Sequence, residues 1–306
     1  MFSIRDFSAW KIYEGFSEGS GRSEKQWLQS SDGDIGLFKW PKVFPQTGRT
    51  TYEHISEHLA HQIGEMINIP TANVEIGEFD YRIGSMSYLV NESYEELREG
   101  AWFLLGKYPH YDINTLRDRS TGQYYSIQQI FSLTDSESIR YFWLDMMVFD
   151  YLIGNRDRHQ NNWAFLLPIE DKNKRIVRVR PCPLYDNGSS LCCYVEDSQI
   201  DQYLGRDLQR INSLVDTQSK SIIRLDPNSK RLPSHSEVVR FLINKYPYAR
   251  EKTGQILEKL TDIRIRELLD LYPDELLPQK RKELLLRFLT KKIELLDQIR
   301  SEAQNG

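Results

Sequence analysis

A strongly apolar run in this chain ends abruptly in a cluster of polar side chains. The run "SIRYFWLDMMVFDYLI" (138–153) is apolar over a wide face at helical spacing, and "GNRDRHQNNW" (154–163) follows it directly. Such a helix packs in a protein core. It is shorter than the roughly 18–20 residues that span a bilayer, and it contains Asp145 and Asp150. Polar groups crowded at the end of a buried helix are costly unless they are paired or used. We therefore predict a core helix that delivers a functional loop, named the polar loop (154–163).

Length and charge limit the class of protein. The chain has 306 residues, enough for one large domain or two closely packed lobes. Lys plus Arg number 40 and Asp plus Glu 44, a balance that argues against a protein that mainly coats nucleic acid. The N-terminus has no apolar signal segment, and Cys182, Cys192 and Cys193 suit neither a disulfide framework nor a zinc site. We expect a cytoplasmic protein with no stable membrane association and no direct nucleic-acid partner.

The first third of the sequence predicts strands around one helix. "EKQWLQ" and "DIGLFKW", separated by the turn cluster "SSDGD", predict a hairpin. "TYEHISEHLAHQIGEMINIP" has apolar residues at helical spacing and is expected to end at Pro70. "TANVEIGEF" and "IGSMSYLV" predict two further strands. Residues 1–92 therefore form a small α+β lobe.

The remaining sequence is predicted to be mainly helical. After the polar loop, "NNWAFLLPI" and "RIVRVRPCPLYD" read as short strands that flank the turn "EDKNK", and 187–234 reads as irregular. Helices are expected at 237–245 and 251–271 and in "QKRKELLLRFLTKKIELLDQIR". We expect the charges in "EELREG" and "QKRKE" to lie on solvated helix faces.

The polar loop carries residues suited to a metal and a proton transfer. Asp157 and Asn162 are five residues apart, and Asp186 follows the second predicted strand in "LYDNG". Two carboxylates and an amide oxygen suit Mg²⁺, which takes few protein ligands and binds nucleotide phosphates. An Asp, four residues, an Asn and a later metal-binding Asp form the kinase pattern of phosphoryl transfer. Chance spacing in a turn network is the alternative.

A nucleotide site is predicted in the first lobe. The Gly/Ser-rich stretch "GFSEGSGRSEK" could cover phosphates with its backbone amides. Lys39 lies inside an apolar strand, where its ammonium needs a phosphate or carboxylate partner. The following helix offers Glu53 and Glu57 one turn apart, and the "SEHLA" spacing favours Glu57. The candidate phosphate-loop residues are Gly19, Ser20, Gly21 and Ser23.

Five motifs follow one another along the chain: "GSGRSEK", "LFKWPK", "EHISEHLA", "GNRDRHQNN" and "PLYDNGSSL". In this order they resemble the HipA-like kinase family over roughly residues 15–195. The resemblance implies an α+β, bilobed protein-kinase-like fold, with an N-lobe at 1–92 and a C-lobe at 93–306. It implies transfer of phosphate from ATP, with Mg²⁺, to a serine or threonine of a protein substrate. We expect the protein to phosphorylate itself as well. Asp157 would be the catalytic base, Asn162 and Asp186 the Mg²⁺ ligands, and Lys39 the partner of the α/β-phosphates.

Several roles stay open at the sequence level. His159 either takes part in the reaction, as a similar histidine lies close to the catalytic machinery of phosphatidylinositol kinases, or buttresses Asp157. Arg156 and Arg158 are either solvated charges or partners of a phosphate on the protein's own loop. A phosphatidylinositol-type lipid kinase and a non-catalytic nucleotide-binding protein are the alternative functions. Toxin members of the family carry an extra N-terminal subdomain, so an antitoxin-type partner has no support in the sequence.

Overall fold

The computed structural model describes residues 1–15, 24–169 and 178–305. By their contacts, the residues group into two units that are each discontinuous in sequence. The first unit comprises Met1–Val90, Asp186–Arg210 and Leu260–Thr290, and the second comprises Asn91–Tyr185, Ile211–Lys259 and Lys291–Gly306. The division into two continuous lobes at residue 92 stays a prediction.

The first ninety residues form a sheet and one long helix. Its elements are β1 (Arg5–Asp6), β2 (Lys11–Ile12), β3 (Lys25–Gln29), β4 (Ile35–Lys39), α1 (Glu53–Ile67), β5 (Val74–Phe79) and β6 (Arg82–Tyr88). The strands lie in the order β1-β5-β6-β4-β3-β2. The β1–β5 pair is parallel, and the other neighbours are antiparallel. The predicted hairpin, helix and two further strands of this part are confirmed.

The sheet is held by an aromatic core on one of its faces. Phe7, Leu28, Phe38 and Met86 are fully buried there, and Trp10 and Trp40 lie at its edge. Phe38 alternates along β4 with Lys39, so its burial directs the lysine to the opposite face of the strand. The apolar core thereby determines on which side of the sheet the charged side chain lies.

Helix α1 ends earlier than the sequence predicts. Its last residue is Ile67, and Asn68 follows in the left-handed conformation with φ 56°. The amide of Asn68 and that of Ile69 bond to the last carbonyls of the helix. Asparagine tolerates this conformation better than most residues, so the helix ends at its cap and not at Pro70.

The rest of the chain adds short strands and most of the helices. In chain order they are β7 (Glu95–Glu99), α2 (Gly100–Lys107), β8 (Tyr111–Asp112), β9 (Arg117–Asp118), α3 (Ile127–Phe131), α4 (Glu137–Ile153), β10 (Ala164–Pro168), β11 (Arg180–Pro181), α5 (Ile200–Leu204), α6 (Gln209–Asn212), α7 (His235–Lys245), α8 (Pro247–Lys259), α9 (Asp262–Asp270) and α10 (Gln279–Asn305). Strands β11, β10 and β7 form one sheet, and β8 pairs with β9. A 3₁₀ turn (Asp197–Gln199) and a π-helical turn (Ser213–Thr217) add to the segment expected to be irregular.

Helix α4 is the predicted core helix. Ten of its residues are buried, and Asp150 is among them. Gly154 ends the helix at φ 68°, a left-handed conformation that glycine adopts without strain. The polar loop begins at this glycine. Within the described residues, no helix is both long enough and apolar enough to span a membrane.

The segment "EELREG" is a strand, and its prediction as a solvated helix face is wrong. It forms β7, which pairs antiparallel with β10. Glu95 is buried and accepts two hydrogen bonds of 2.7 Å from the Arg180 guanidinium. Pairing with the apolar strand β10 overrides the helical propensity of the glutamates, because propensity is a weak preference next to tertiary contacts.

Two predictions for the C-terminal helices also need correction. The helix expected at 251–271 is two helices, α8 and α9, and the Thr261 side chain accepts a hydrogen bond from the amide of Arg264 at the start of α9. The segment "QKRKE" is helical, but Arg281 is only 1% exposed. Its guanidinium bonds to Asp197 at 2.7 Å and lies over the Tyr52 ring. The ion pair with Asp197 and the face of the Tyr52 ring replace water around this charge.

We expect opposite effects from adding a methyl group at two glycines of α2. A Cβ on Gly100 would lie 2.2 Å from the buried Trp163 ring, whereas one on Gly106 meets nothing within 4 Å. Gly100→Ala should therefore cost about 1–3 kcal/mol of stability through overpacking. Gly106→Ala should gain about 0.5–1 kcal/mol from helix propensity. Urea unfolding of both variants measures this, and equal effects would contradict the predicted packing.

Candidate functional site

Lys39 lies between two carboxylates in the first unit. Its Nζ is 3.1 Å from Glu57 Oε1 and 2.7 Å from Asp186 Oδ1. Burial by itself would lower the pKa of Lys39, but the charges of Asp186 and Glu57 outweigh it and raise the pKa above its ordinary value. The lysine is therefore a fixed positive charge at every physiological pH.

Glu57 on α1 connects the lysine to the chain that follows Asp186. It is 5% exposed, and its Oε2 accepts a hydrogen bond of 2.9 Å from the amide of Asn187. Lys39 pairs with Glu57, as the "SEHLA" spacing predicts. Glu53 instead binds the amide and ammonium of Lys42, each at 2.9 Å. Glu57 thus holds the strand lysine and the Asp186 segment in one arrangement.

The chain after Asp186 is tied to α1 by further hydrogen bonds. Asp186 has φ 57°, a left-handed conformation. The Ser190 hydroxyl bonds to the carbonyl of Asn187 at 2.6 Å, and the Ser56 hydroxyl bonds to the carbonyl of Ser190 at 3.0 Å. These bonds anchor the residues that follow Asp186, and such surrounding contacts allow a left-handed conformation to persist at functional sites.

The polar loop in the second unit folds back on itself around Asp157. The Asn162 side chain donates a hydrogen bond of 2.7 Å to the carbonyl of Asp157, and the Asn155 side chain accepts one of 3.1 Å from the amide of Asp157. The Asp157 side chain itself is 51% exposed, whereas Asn162 is 4% exposed. The loop is therefore fixed at its backbone while the Asp157 carboxylate reaches solvent.

His159 lies beside Asp157 in an orientation that its hydrogen bonds define. Its Nδ1 accepts a hydrogen bond of 3.2 Å from the amide of Asn161, so the proton of the neutral ring belongs on Nε2. Nε2 lies 3.9 Å from Asp157 Oδ1, beyond hydrogen-bond length. The ring is placed to support the carboxylate electrostatically.

Arg158 is buried, so its interpretation as a solvated charge is wrong. Its guanidinium forms an ion pair of 2.8 Å with Asp150, and both side chains are almost fully buried. It also donates to the carbonyl of Asn162 at 2.6 Å and to that of Tyr185 at 2.8 Å. Burial raises the pKa of Asp150, and the Arg158 charge opposes this. Arg158 thus fixes the backbone of Asn162 and of the residue before Asp186.

The C-terminal half of the polar loop is attached to neighbouring elements of the second unit. The first amides of α2, from Gly100 and Ala101, donate to the carbonyls of Trp163 and Gln160 at 2.9 and 3.0 Å. These bonds satisfy helix amides that otherwise have no partner. The indole of Trp163 donates a hydrogen bond of 2.7 Å to the Tyr125 hydroxyl. The loop is therefore held from outside as well as from within.

The remaining predicted site residues include some that lie outside the described parts of the chain and some whose side-chain chemistry suits a metal. The phosphate-loop candidates Gly19, Ser20, Gly21 and Ser23 lie outside the described residues, as does the turn "EDKNK". Asn162 and Asp186 offer amide and carboxylate oxygens, a donor type that fits Mg²⁺. Within the described residues, no group of three or more His, Cys, Asp or Glu side chains could hold a metal. The three cysteines have free thiols.

Sequence reasoning missed one residue that the loop depends on. In the sequence Asp150 stands out only as a charge within the apolar run, yet in the structure it is the buried partner of Arg158. Its signal was present, because a carboxylate inside a core helix needs a partner. The spacing of Asp150 and Arg158 across a helix end gave no means of pairing them from sequence alone.

Comparisons with known proteins identify the family and the fold to which this arrangement belongs. A sequence model of the HipA-like C-terminal domain family matches residues 20–236. The serine/threonine-protein kinase CtkA of Helicobacter pylori (strain J99) is 34% identical over 93 residues, which are 30% of this chain and only 26% of that protein. The crystal structure of the Helicobacter pylori proinflammatory kinase CtkA has a TM-score of 0.79, with 19% identity over 98% of this chain and 99% of that chain.

A second solved structure is more distant. A chain of the Shewanella oneidensis MR-1 toxin–antitoxin complex of HipA, HipB and operator DNA has a TM-score of 0.55, with 17% identity over 96% of this chain and 65% of that chain. At these identities the structural matches show the fold alone, and they confirm the predicted α+β, protein-kinase-like class. The fold and the lysine–glutamate pair define a kinase-like protein. The family match covers more than two thirds of the sequence, so the chain belongs to the HipA-like C-terminal domain family.

We expect the stability of the protein to fall in mild acid because of His58 on α1. The ring is buried and its Nδ1 lies 2.7 Å from the Tyr272 hydroxyl. Burial, and to a lesser extent His61, lowers the pKa of His58 to about 4. The unfolded chain binds a proton near pH 6.5 while the folded chain does not, so stability decreases from about pH 6.5 down to 4 by roughly 3 kcal/mol for this group.

Urea unfolding between pH 7 and 4 measures this loss. His58→Gln removes the titrating ring and should show a shallower decrease in unfolding free energy than the wild type. His110→Gln, at an exposed ring, is the matched control and should keep the wild-type slope. Equal slopes for His58→Gln and the wild type would contradict the assignment.

Removal of the Arg158 side chain should destabilise the second unit. Arg158→Met leaves the Asp150 carboxylate buried without its cation, at an expected cost of about 3–5 kcal/mol. The double variant Asp150→Leu, Arg158→Met removes both charges and should recover part of that loss. Urea unfolding of the single and double variants gives the coupling, and a double variant less stable than Arg158→Met would contradict it.

Proposed function

We propose that this chain is a kinase that uses ATP and Mg²⁺ to phosphorylate a serine or threonine hydroxyl of a protein, and also itself. The observation that carries the proposal is the lysine of β4 held between Glu57 and Asp186. A strand lysine paired with a helix glutamate is the device by which kinases position the α/β-phosphates. Family membership and the named serine/threonine kinase among its relatives support the same activity.

Each residue of the proposal has a role suited to its chemistry. Lys39 keeps its charge and binds the α/β-phosphates, while Glu57 holds its ammonium in place. Asp157 presents an exposed carboxylate that accepts the proton of the substrate hydroxyl. Asn162 and Asp186 are assigned to Mg²⁺ by their place in the motifs, and the ion neutralises phosphate charge when bound. Gly19, Ser20, Gly21 and Ser23 are proposed to cover the phosphates.

His159 is proposed to act through Asp157 and not on the substrate. Its Nε2–H faces the carboxylate from 3.9 Å, so it stabilises the charge without removing the lone pairs that accept the proton. Because Asn155 and Asn162 fix the backbone of Asp157, the carboxylate needs little reorganisation to meet a hydroxyl. Positioning of this kind supplies a large share of the rate in phosphoryl transfer.

We expect Asp157→Asn to abolish phosphoryl transfer while nucleotide binding persists. The amide cannot accept the hydroxyl proton, so transfer of ³²P from ATP to the protein itself and to myelin basic protein should fall about 10²–10⁴-fold. Because Lys39 and Glu57 are intact, millimolar Mg-ATP should still raise the unfolding temperature of the variant. Asp135→Asn, at a fully exposed aspartate near the start of α4, is the matched control and should label like the wild type.

Labelling and thermal stabilisation together distinguish an error in the assignment of Asp157 from an error in the kinase proposal. Labelling of Asp157→Asn at the wild-type level would show that Asp157 is not the base. Absence of both labelling and thermal stabilisation in the wild type would overturn the kinase proposal itself. Labelling of phosphoinositide vesicles in place of protein would favour the lipid-kinase alternative.

A further inference from the structure

Two arginines of the second unit lie against the ring of one tyrosine. The guanidinium carbon of Arg224 is 4.3 Å from the centroid of Tyr124, and that of Arg117 is 5.1 Å from the same centroid. Arg117 is exposed, whereas Arg224 is 9% exposed. The tyrosine ring offers both cations a favourable face, but it does not neutralise their charge.

Arg224 has no counter-charge among the described residues. Its Nε is buried without a hydrogen-bond partner, and its Nη1 makes only a long contact of 3.5 Å to the carbonyl of Ile222. Burial lowers the pKa of Arg224, and no carboxylate acts against this. A buried guanidinium without an anion is energetically costly. The cost is relieved if an anion binds there.

The carboxylates closest in sequence to Arg117 are already engaged. Asp112 forms an ion pair with Arg119. Asp118 is 1% exposed and accepts hydrogen bonds from the hydroxyls of Ser120 and Thr121. Arg117 itself donates its Nε to the carbonyl of Gly122 at 2.8 Å and forms no ion pair within the described parts of the chain. Asp226, two residues after Arg224, accepts a hydrogen bond of 2.9 Å from the amide of Asn228 and forms no ion pair with Arg224 among the described residues. An anion from another molecule can therefore take this place.

This arginine pair is built onto the polar loop. The backbone of Arg224 bonds to that of Tyr125 and Ile127, and the Tyr125 hydroxyl accepts the hydrogen bond from Trp163 at the end of the loop. On the β8–β9 hairpin, the Tyr111 hydroxyl donates to Gln160 of the loop at 3.3 Å. Any group bound by the arginines is thereby placed at a fixed position relative to the loop that carries Asp157.

We propose that Arg117 and Arg224, held against Tyr124, bind an oxyanion of the protein substrate, a carboxylate or phosphate group close in sequence to the phosphorylated hydroxyl. The planar guanidinium matches both groups by paired hydrogen bonds. The inference rests on the proposed kinase function and adds its substrate class: acidic or previously phosphorylated segments. The arginine pair supplies recognition, and Asp157 supplies the chemistry.

A positional peptide library tests this specificity. Peptides with one serine or threonine acceptor carry Glu, phosphoserine or Ala at each flanking position, and initial rates give KM and kcat separately. The wild type should prefer Glu or phosphoserine over Ala at one position. Preference for Glu identifies a carboxylate as the ligand, and preference for phosphoserine identifies a phosphate; either supports the inference.

Variants then connect the preference to the arginines. Arg224→Gln should raise KM for the preferred peptide about tenfold with a smaller change in kcat, and should leave KM for the Ala peptide near the wild-type value. Arg117→Gln should act in the same direction. Because the Arg117 side chain is exposed, this variant tests the inference even if Arg224→Gln, at a buried position, does not fold. Arg224→Lys keeps the charge without the planar fork and should be intermediate. Arg119→Gln, on the same hairpin but paired with Asp112, is the control and should keep the preference.

Failure of this inference and failure of the kinase proposal give different results. An active wild type that phosphorylates Glu, phosphoserine and Ala peptides equally would overturn this inference while the kinase function stands. A preference that survives both Arg117→Gln and Arg224→Gln would also overturn it. A wild type that labels neither peptides nor proteins in the presence of Mg-ATP would overturn the kinase proposal and this inference together.

Discussion

The buried ion pair between Asp150 and Arg158 determines the conformation of the polar loop. Both side chains are nearly inaccessible to water, and the Arg158–Asp150 contact is 2.8 Å. A charge pair in such a place must satisfy all of its remaining hydrogen bonds, and Arg158 does so on the carbonyls of Asn162 and Tyr185. The same guanidinium therefore fixes two stretches of backbone that contain or precede candidate functional residues. The fold therefore holds the backbone of this loop in place before any reaction begins.

Lys39 shows the same principle in the first unit. Its ammonium is held by Glu57 and Asp186, and Glu57 extends the contact to the amide of Asn187. Charged groups that are fixed by the protein need little rearrangement when they meet a ligand, which is the basis of electrostatic preorganisation. Arg117 and Arg224 differ, because an aromatic ring holds them and no carboxylate of the described chain neutralises them. Lys39 and Arg158 are thus positioned by carboxylates of the chain itself, whereas the two arginines at Tyr124 keep charges that an external anion can meet.

The errors of sequence interpretation have a common cause. "EELREG" carries helix-forming glutamates, yet β10 recruits it as a strand and Arg180 pairs with Glu95. Arg158 and Arg281 are arginines in polar segments, and both are buried against acceptors distant from them in sequence. Local propensity and local charge carry no information about partners contributed by remote parts of the chain. The predicted continuous helix at 251–271 failed for a local reason, the side-chain cap at Thr261.

The sequence by itself determined the apolar helix with its polar loop and the hairpin that carries Lys39. It favoured Glu57 over Glu53 as the partner of Lys39, and its motifs resembled those of the HipA-like family. The helix, the hairpin and the preference for Glu57 follow from short-range periodicity or from the spacing of a few residues, which the order of amino acids states directly. Only the tertiary structure decided that Asp150 neutralises Arg158, that His159 faces Asp157 through Nε2, and that Arg117 and Arg224 share the ring of Tyr124. These are contacts between side chains whose directions depend on how the elements pack, and packing is a property of the whole fold.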